Sequence, residues 1–182
     1  MLTIRPMSRT GKEHLALDRR VEIFDGEAEI GRLIVDPPKH KGELTLGGAT
    51  YPIAHKPGLG LGESPLEMMA RALTKKPKPN PDQYELTDAT GRLVAAAEMS
   101  KEVFTVTCEA GRFRFAKGET FLIYRLTPEG ADAPLGWVGQ RKRFTKSLEI
   151  DLPETISRPV QGFLLALYIL IGVQRASHYS SN

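Results

Sequence analysis

The stretch Gly162–Val173, GFLLALYILIGV, decides the fold because it runs for twelve residues without a charge. A helix on the surface of a globular protein has a polar face, and this stretch has none, so its helix must be enclosed by protein or by lipid. Twelve helical residues span about 18 Å, whereas the hydrocarbon core of a bilayer is about 30 Å thick. The length therefore favours a helix enclosed by its own chain, with a membrane anchor over residues 159–176 as the alternative.

The residues before this stretch can start the helix. Ser157 offers a capping side chain, and Pro159 suits the first helical turn. We therefore expect a core helix over residues 157–176. Burying each large apolar side chain of such a helix contributes roughly 1.5–3 kcal/mol, so the helix should form the core of the domain. A sheet that surrounds it must curl into a barrel, and closure also removes exposed strand edges.

The rest of the chain predicts β-strands joined by tight turns. Apolar and polar residues alternate with a period of two, and turn dipeptides such as Asp25-Gly26 and Gly47-Gly48 separate the alternating segments. Pro52 predicts that its segment is an edge strand or contains a bulge, because proline cannot donate a backbone hydrogen bond. In Arg112–Phe115 the alternation indicates one wet face and one dry face. The predicted strands are Val21–Phe24, Ile30–Val35, Leu44–Leu46, Tyr51–His55, Tyr84–Leu86, Leu93–Ala97, Val103–Cys108, Arg112–Ala116, Thr120–Leu126, Gly136–Gln140 and Phe144–Ile150.

The two halves of the chain resemble each other at an offset near 60 residues. Between them, Ser64-Pro65-Leu66-Glu67 has the pattern of a helix start, and a stretch rich in lysine and proline follows. We expect one domain with a first half (1–62), a helix and linker (63–82), a second half (83–152) and the core helix. The matched segments are Val21–Asp25 with Tyr84–Asp88, Gly31–Leu33 with Gly91–Leu93, Leu44 with Val106, and Tyr51 with Phe113.

Two similar β-rich halves are followed by Asp151-Leu152-Pro153 and by a helix that opens with Gln161–Leu167 and ends with Gln174-Arg175. This layout resembles the Tubby C-terminal-like superfamily, which includes Tubby proteins, phospholipid scramblases and LURP-one-related proteins. The resemblance implies a mainly β (β+α) fold, a closed antiparallel β-barrel of two similar halves around a buried hydrophobic C-terminal helix.

The resemblance also implies binding and regulation at membrane surfaces more than catalysis. Tubby proteins bind phosphoinositides through basic residues on the barrel. Scramblases carry a proline-rich arm, palmitoylated cysteines and a calcium-binding segment, and this sequence has none of these features. The sequence is therefore similar to a trimmed barrel of the LURP-one type, and lipid scrambling is not expected of it.

A basic cluster supplies the candidate ligand-binding residues. Arg141, Lys142, Arg143 and Lys146 surround Phe144, and four such cations can bind an anionic headgroup or a phosphate. The alternative interpretation is a solvated rim of the barrel. An anionic phospholipid or membrane surface is the expected partner. Nucleic acid is not expected, since the net charge is only +3. A protein partner stays open.

No motif for catalysis, metal binding or a cofactor stands out. Gly58–Gly62 does not match a dinucleotide or phosphate-binding loop, and the four histidines are scattered surface or turn residues. The single Cys108 fits a reducing compartment, and the N-terminus has no apolar signal segment. We therefore expect a non-enzymatic binding or regulatory domain without a cofactor, in the cytoplasm or at the periphery of a membrane. A structural or protein-interaction domain without a small ligand is the alternative.

Overall fold

The structure is a computed structural model that describes residues 1–6, 20–56, 81–100, 103–120, 123–140 and 148–179, with only the backbone of the helix beyond Ile171. Within these residues twelve antiparallel strands form one closed barrel, and the buried part of a helix, α1 (Arg158–Tyr179), lies in its interior. This confirms the predicted fold class. The strands are β1 (Leu2–Pro6), β2 (Arg20–Asp25), β3 (Ala28–Asp36), β4 (Lys41–Leu46), β5 (Ala49–Lys56), β6 (Asp82–Thr87), β7 (Leu93–Ser100), β8 (Val103–Cys108), β9 (Gly111–Lys117), β10 (Ile123–Pro128), β11 (Gly136–Gly139) and β12 (Leu148–Asp151).

Each strand follows its neighbour in the chain, and β1 closes the barrel by pairing with both β2 and β12. Strand β1 was not predicted from the sequence, although Leu2 and Ile4 alternate with polar residues and both are buried. A single five-residue strand without a flanking turn signal is a weak pattern. Its effect on the fold is large, because it removes the free edges that β2 and β12 would otherwise expose.

The core lies between the inner face of the barrel and α1. Every residue from Val160 to Leu167 is buried, which is more than two helical turns, so no face of this part of the helix meets solvent. As far as Leu167, the charge-free stretch is therefore enclosed by its own chain. No helix in the described part of the chain combines the length and the apolar character needed to cross a membrane.

The first turn of α1 is fixed to the barrel by polar contacts. The Arg158 guanidinium donates to the Asp25 carboxylate at 2.6 Å and to the side-chain oxygen of Gln161 at 3.1 Å. Gln161 is buried, and its amide nitrogen donates to the carbonyl oxygen of Ile156 at 2.7 Å. The bond from Gln161 satisfies polar groups that the apolar interior would otherwise leave without partners, whereas the Arg158–Asp25 pair lies near the surface.

The predicted strands of the first half agree with the structure, and Pro52 lies inside β5 without breaking the barrel. Its partner on β4 is Glu43, and the ladder between β5 and β6 begins one residue later, at Ile53. A proline at this position forfeits no hydrogen bond to β6. The strands described form a closed barrel without a free edge, so the prediction that Pro52 lies in an edge strand was wrong.

In the second half, β10 begins at Ile123 rather than at the predicted Thr120, which lies in a bend. Residue 144, where the last strand was predicted to start, and the predicted helix after Ser64 lie outside the described residues.

The two halves correspond strand by strand from β2–β5 to β6–β9. Leu44 and Val106 point inward at the same place in their strands, as do Tyr51 and Phe113. The match of Gly31 with Gly91 was wrong: Gly31 lies inside β3 opposite Leu46, whereas Gly91 lies in the turn before β7 with φ +82°. The turn between β2 and β3 is shorter than the turn between β6 and β7. Residues 60 positions apart are therefore not equivalent in this part of the two halves.

Candidate functional site

Strands β9 and β10 present basic side chains on the outside of the barrel. In β9 the aromatic rings of Phe113 and Phe115 fill the core, so the alternation turns Arg112 and Arg114 outward. The same alternation in β10 turns Arg125 outward. The wet and dry faces predicted from this segment are confirmed.

Arg114 lies between two threonines in the sheet. It is paired with Thr105 on the neighbouring strand β8 and with Thr127 on the other neighbour, β10. Neighbouring strands are about 4.8 Å apart, so both hydroxyls are within reach of a ligand held by the guanidinium. A guanidinium has five N–H donors, and each hydroxyl can donate one more hydrogen bond. This combination suits the oxygen atoms of a phosphate or a carboxylate.

The connection from β10 to β11 forms the wall of a groove over these strands. Two adjoining depressions of about 350 and about 390 Å³ share Arg114, Thr127 and Asp132 as lining residues. A volume of this size suits a small molecule or a lipid headgroup. We call these two depressions together the β9–β10 groove.

Most charges in the β9–β10 groove have a partner. Arg112 lies 3.6 Å from the Glu129 carboxylate, and Arg125 lies 3.7 Å from that of Glu119. In the part of the chain that the structure describes, Arg114 makes no ion pair. Arg114 is therefore the cation that is most available to an incoming anion.

A second polar cluster lies on the inner side of the barrel, next to the turn between β3 and β4. The rings of His40 and His55 are 4.7 Å apart, and His40 Nδ1 lies 3.3 Å from the Tyr84 hydroxyl. His55 Nε2 lies 3.4 Å from the buried Asp82 carboxylate. Burial lowers the pKa of His40, and the nearby His55 lowers it further, while Asp82 acts in the opposite direction.

The prediction that the histidines are scattered surface or turn residues was wrong for this pair. His40 does follow a turn, but the His55 side chain is only 11% exposed, and the two rings are in contact. Among the residues that the structure describes, no three His, Cys, Asp or Glu side chains are arranged to hold a metal ion. The contacts of His40, His55, Tyr84 and Asp82 form a polar and aromatic network.

The predicted ligand-binding residues Arg141, Lys142, Arg143 and Lys146 lie outside the described residues, and their role stays a prediction. The β9–β10 groove was not predicted from the sequence. The alternation of Arg112 and Arg114 was visible in the sequence, but the strand register that adds Thr105 and Thr127 was not.

Comparisons of the chain with known protein families, with curated proteins and with solved structures found no match.

Proposed function

We propose that this protein is a non-catalytic binding domain that recognises phosphate-bearing anionic headgroups at a membrane surface, with the β9–β10 groove as its site. The observation that carries the proposal is Arg114, a cation without an ion pair among the described residues, between two threonine hydroxyls in a groove of headgroup size. The resemblance to the Tubby C-terminal-like superfamily, whose members act at membranes, supports the same conclusion.

The chemistry of the groove is suited to binding an anion. Arg114 offers a positive charge and five N–H donors in a fixed fork. The charge-assisted hydrogen bonds it offers are stronger than those between neutral groups, and they are oriented by the fixed strands below. A rigid barrel with such a group on its outer face is suited to docking an anion.

Vesicle co-sedimentation tests the proposal. Wild-type protein should bind phosphatidylcholine vesicles that contain phosphatidylglycerol and should not bind vesicles of phosphatidylcholine alone. Arg114→Gln should weaken binding to the anionic vesicles about tenfold, the loss expected for one charged hydrogen bond. Arg92→Gln is the matched control, because it removes the same charge from an exposed turn outside the groove.

An equal loss in the two variants would mean that only net charge matters, and it would reject the groove as the site. A wild-type protein that ignores anionic vesicles would reject the function and favour the structural or protein-interaction domain.

The predicted basic cluster is tested in the same assay. If Arg141, Lys142 and Arg143 form the site instead, their joint replacement by glutamine should abolish binding while Arg114→Gln has no effect. If the groove is the site, the triple variant should lose only the general attraction of its three charges to the membrane, about 1 kcal/mol for each cation that lies near the surface. Repeating both titrations at high salt separates the two cases, because screening weakens general attraction first.

A further inference from the structure

The β9–β10 groove holds carboxylates as well as cations, and this limits what it can bind. A headgroup with several negative charges would be only partly neutralised there. The positive charge of the groove exceeds the negative charge by a single unit. The cations are Arg112, Arg114, Lys117 and Arg125, and the carboxylates are Glu119, Glu129 and Asp132.

Two opposite charges in this groove are unpaired in the described part of the chain. Arg114 rises from the floor of the groove, on β9, and Asp132 lies in its wall, on the connection to β11. Arg114 and Asp132 line each of the two depressions, yet they form no ion pair with each other or with another described residue. Glu129 and Glu119 are already occupied by Arg112 and Arg125. The wall therefore has one free carboxylate, among the residues described, that faces the same space as the free guanidinium.

We propose that the headgroup recognised in the β9–β10 groove carries an ammonium group beside its anionic groups, with an anion on Arg114 and the ammonium on Asp132. This inference rests on the proposed function and names the class of headgroup. The threonines beside Arg114 would share the oxygen atoms of the anion. A headgroup with a phosphodiester, a carboxylate and an ammonium has a net charge that complements the single excess positive charge of the groove.

Phosphatidylserine and phosphatidylglycerol are suitable probes, because each carries one net negative charge and only the former has an ammonium. Vesicles that contain equal fractions of one or the other attract a basic protein equally through their surface potential. Wild-type protein should bind phosphatidylserine vesicles about fivefold more tightly, the gain expected for one exposed ion pair. Asp132→Asn should abolish this preference and, because it removes a negative charge from the groove, should strengthen binding to phosphatidylglycerol vesicles.

Glu27→Gln is the matched control, since Glu27 is exposed in the turn between β2 and β3, outside the groove. It should keep the preference. Equal binding of the wild type to the two vesicles would overturn the inference while the proposed function stands. A preference that survives in Asp132→Asn would overturn it as well. No binding to either vesicle would reject the proposed function itself. Circular dichroism confirms that each variant is folded before binding is compared.

Discussion

Replacing Gly162 by alanine is predicted to destabilise the protein, although alanine is the better helix former. In a helix interior the exchange of glycine for alanine contributes about 1 kcal/mol of stability. Here a Cβ atom at Gly162 would lie 2.6 Å from Leu44 Cδ2, 2.8 Å from Leu44 Cδ1 and 3.2 Å from Leu44 Cγ. Carbon atoms in contact are separated by about 3.5–4.0 Å, so the Leu44 side chain must retreat by about 1 Å.

Leu44 has little room to retreat because its side chain, which extends from β4 toward α1, is completely buried. An extra methyl group in a packed core costs about 1–3 kcal/mol, which exceeds the gain in helix propensity. We expect Gly162→Ala to lower the free energy of unfolding by about 1 kcal/mol, the difference between these effects. For a domain of this size that corresponds to a decrease in Tm of about 2–4 °C.

Urea unfolding of four proteins tests this prediction: the wild type, Gly162→Ala, Leu44→Ala and the double variant. Leu44→Ala alone should cost about 2–5 kcal/mol because it leaves a cavity. The methyl group added at position 162 would partly fill that cavity, so the double variant should be more stable than the sum of the single effects by at least about 1 kcal/mol. A Gly162→Ala protein more stable than the wild type, or additive effects, would refute the close approach of α1 to β4.

Three further predictions concern the core and its polar groups. Leu167→Asp should abolish the cooperative unfolding transition in circular dichroism, because it leaves an unpaired charge at a completely buried position, and a wild-type transition would contradict the enclosed helix. Gln161→Leu should cost about 1–3 kcal/mol in urea unfolding, since the carbonyl oxygen of Ile156 loses its donor, whereas an unchanged midpoint would show that this bond contributes nothing. The pKa of His40 lies below the value of the unfolded chain, so stability should fall as the pH is lowered through about 6.5, and His40→Asn should show a smaller fall; identical pH profiles would refute it.

The basic cluster predicted from the sequence and the residues of the β9–β10 groove differ because they depend on different kinds of information. A run of cations such as Arg141–Lys146 is visible in the sequence, and its role stays a prediction. The β9–β10 groove brings together Thr105, Arg114, Thr127 and Asp132, which belong to three successive strands and a loop. No local pattern identifies such a set, because the register of three strands decides which side chains become neighbours.

The enclosed helix and the closed sheet could be inferred from the sequence because they follow from local composition. Gly162–Val173 has no polar face at any helical rotation, and strands that alternate apolar and polar residues have one face to bury. The tertiary structure decided which residues meet: Leu2–Pro6 as the strand that closes the barrel, Gly162 against Leu44, and His40 against His55. These contacts join distant parts of the chain, and their geometry depends on packing around the helix, which periodicity along one segment does not encode.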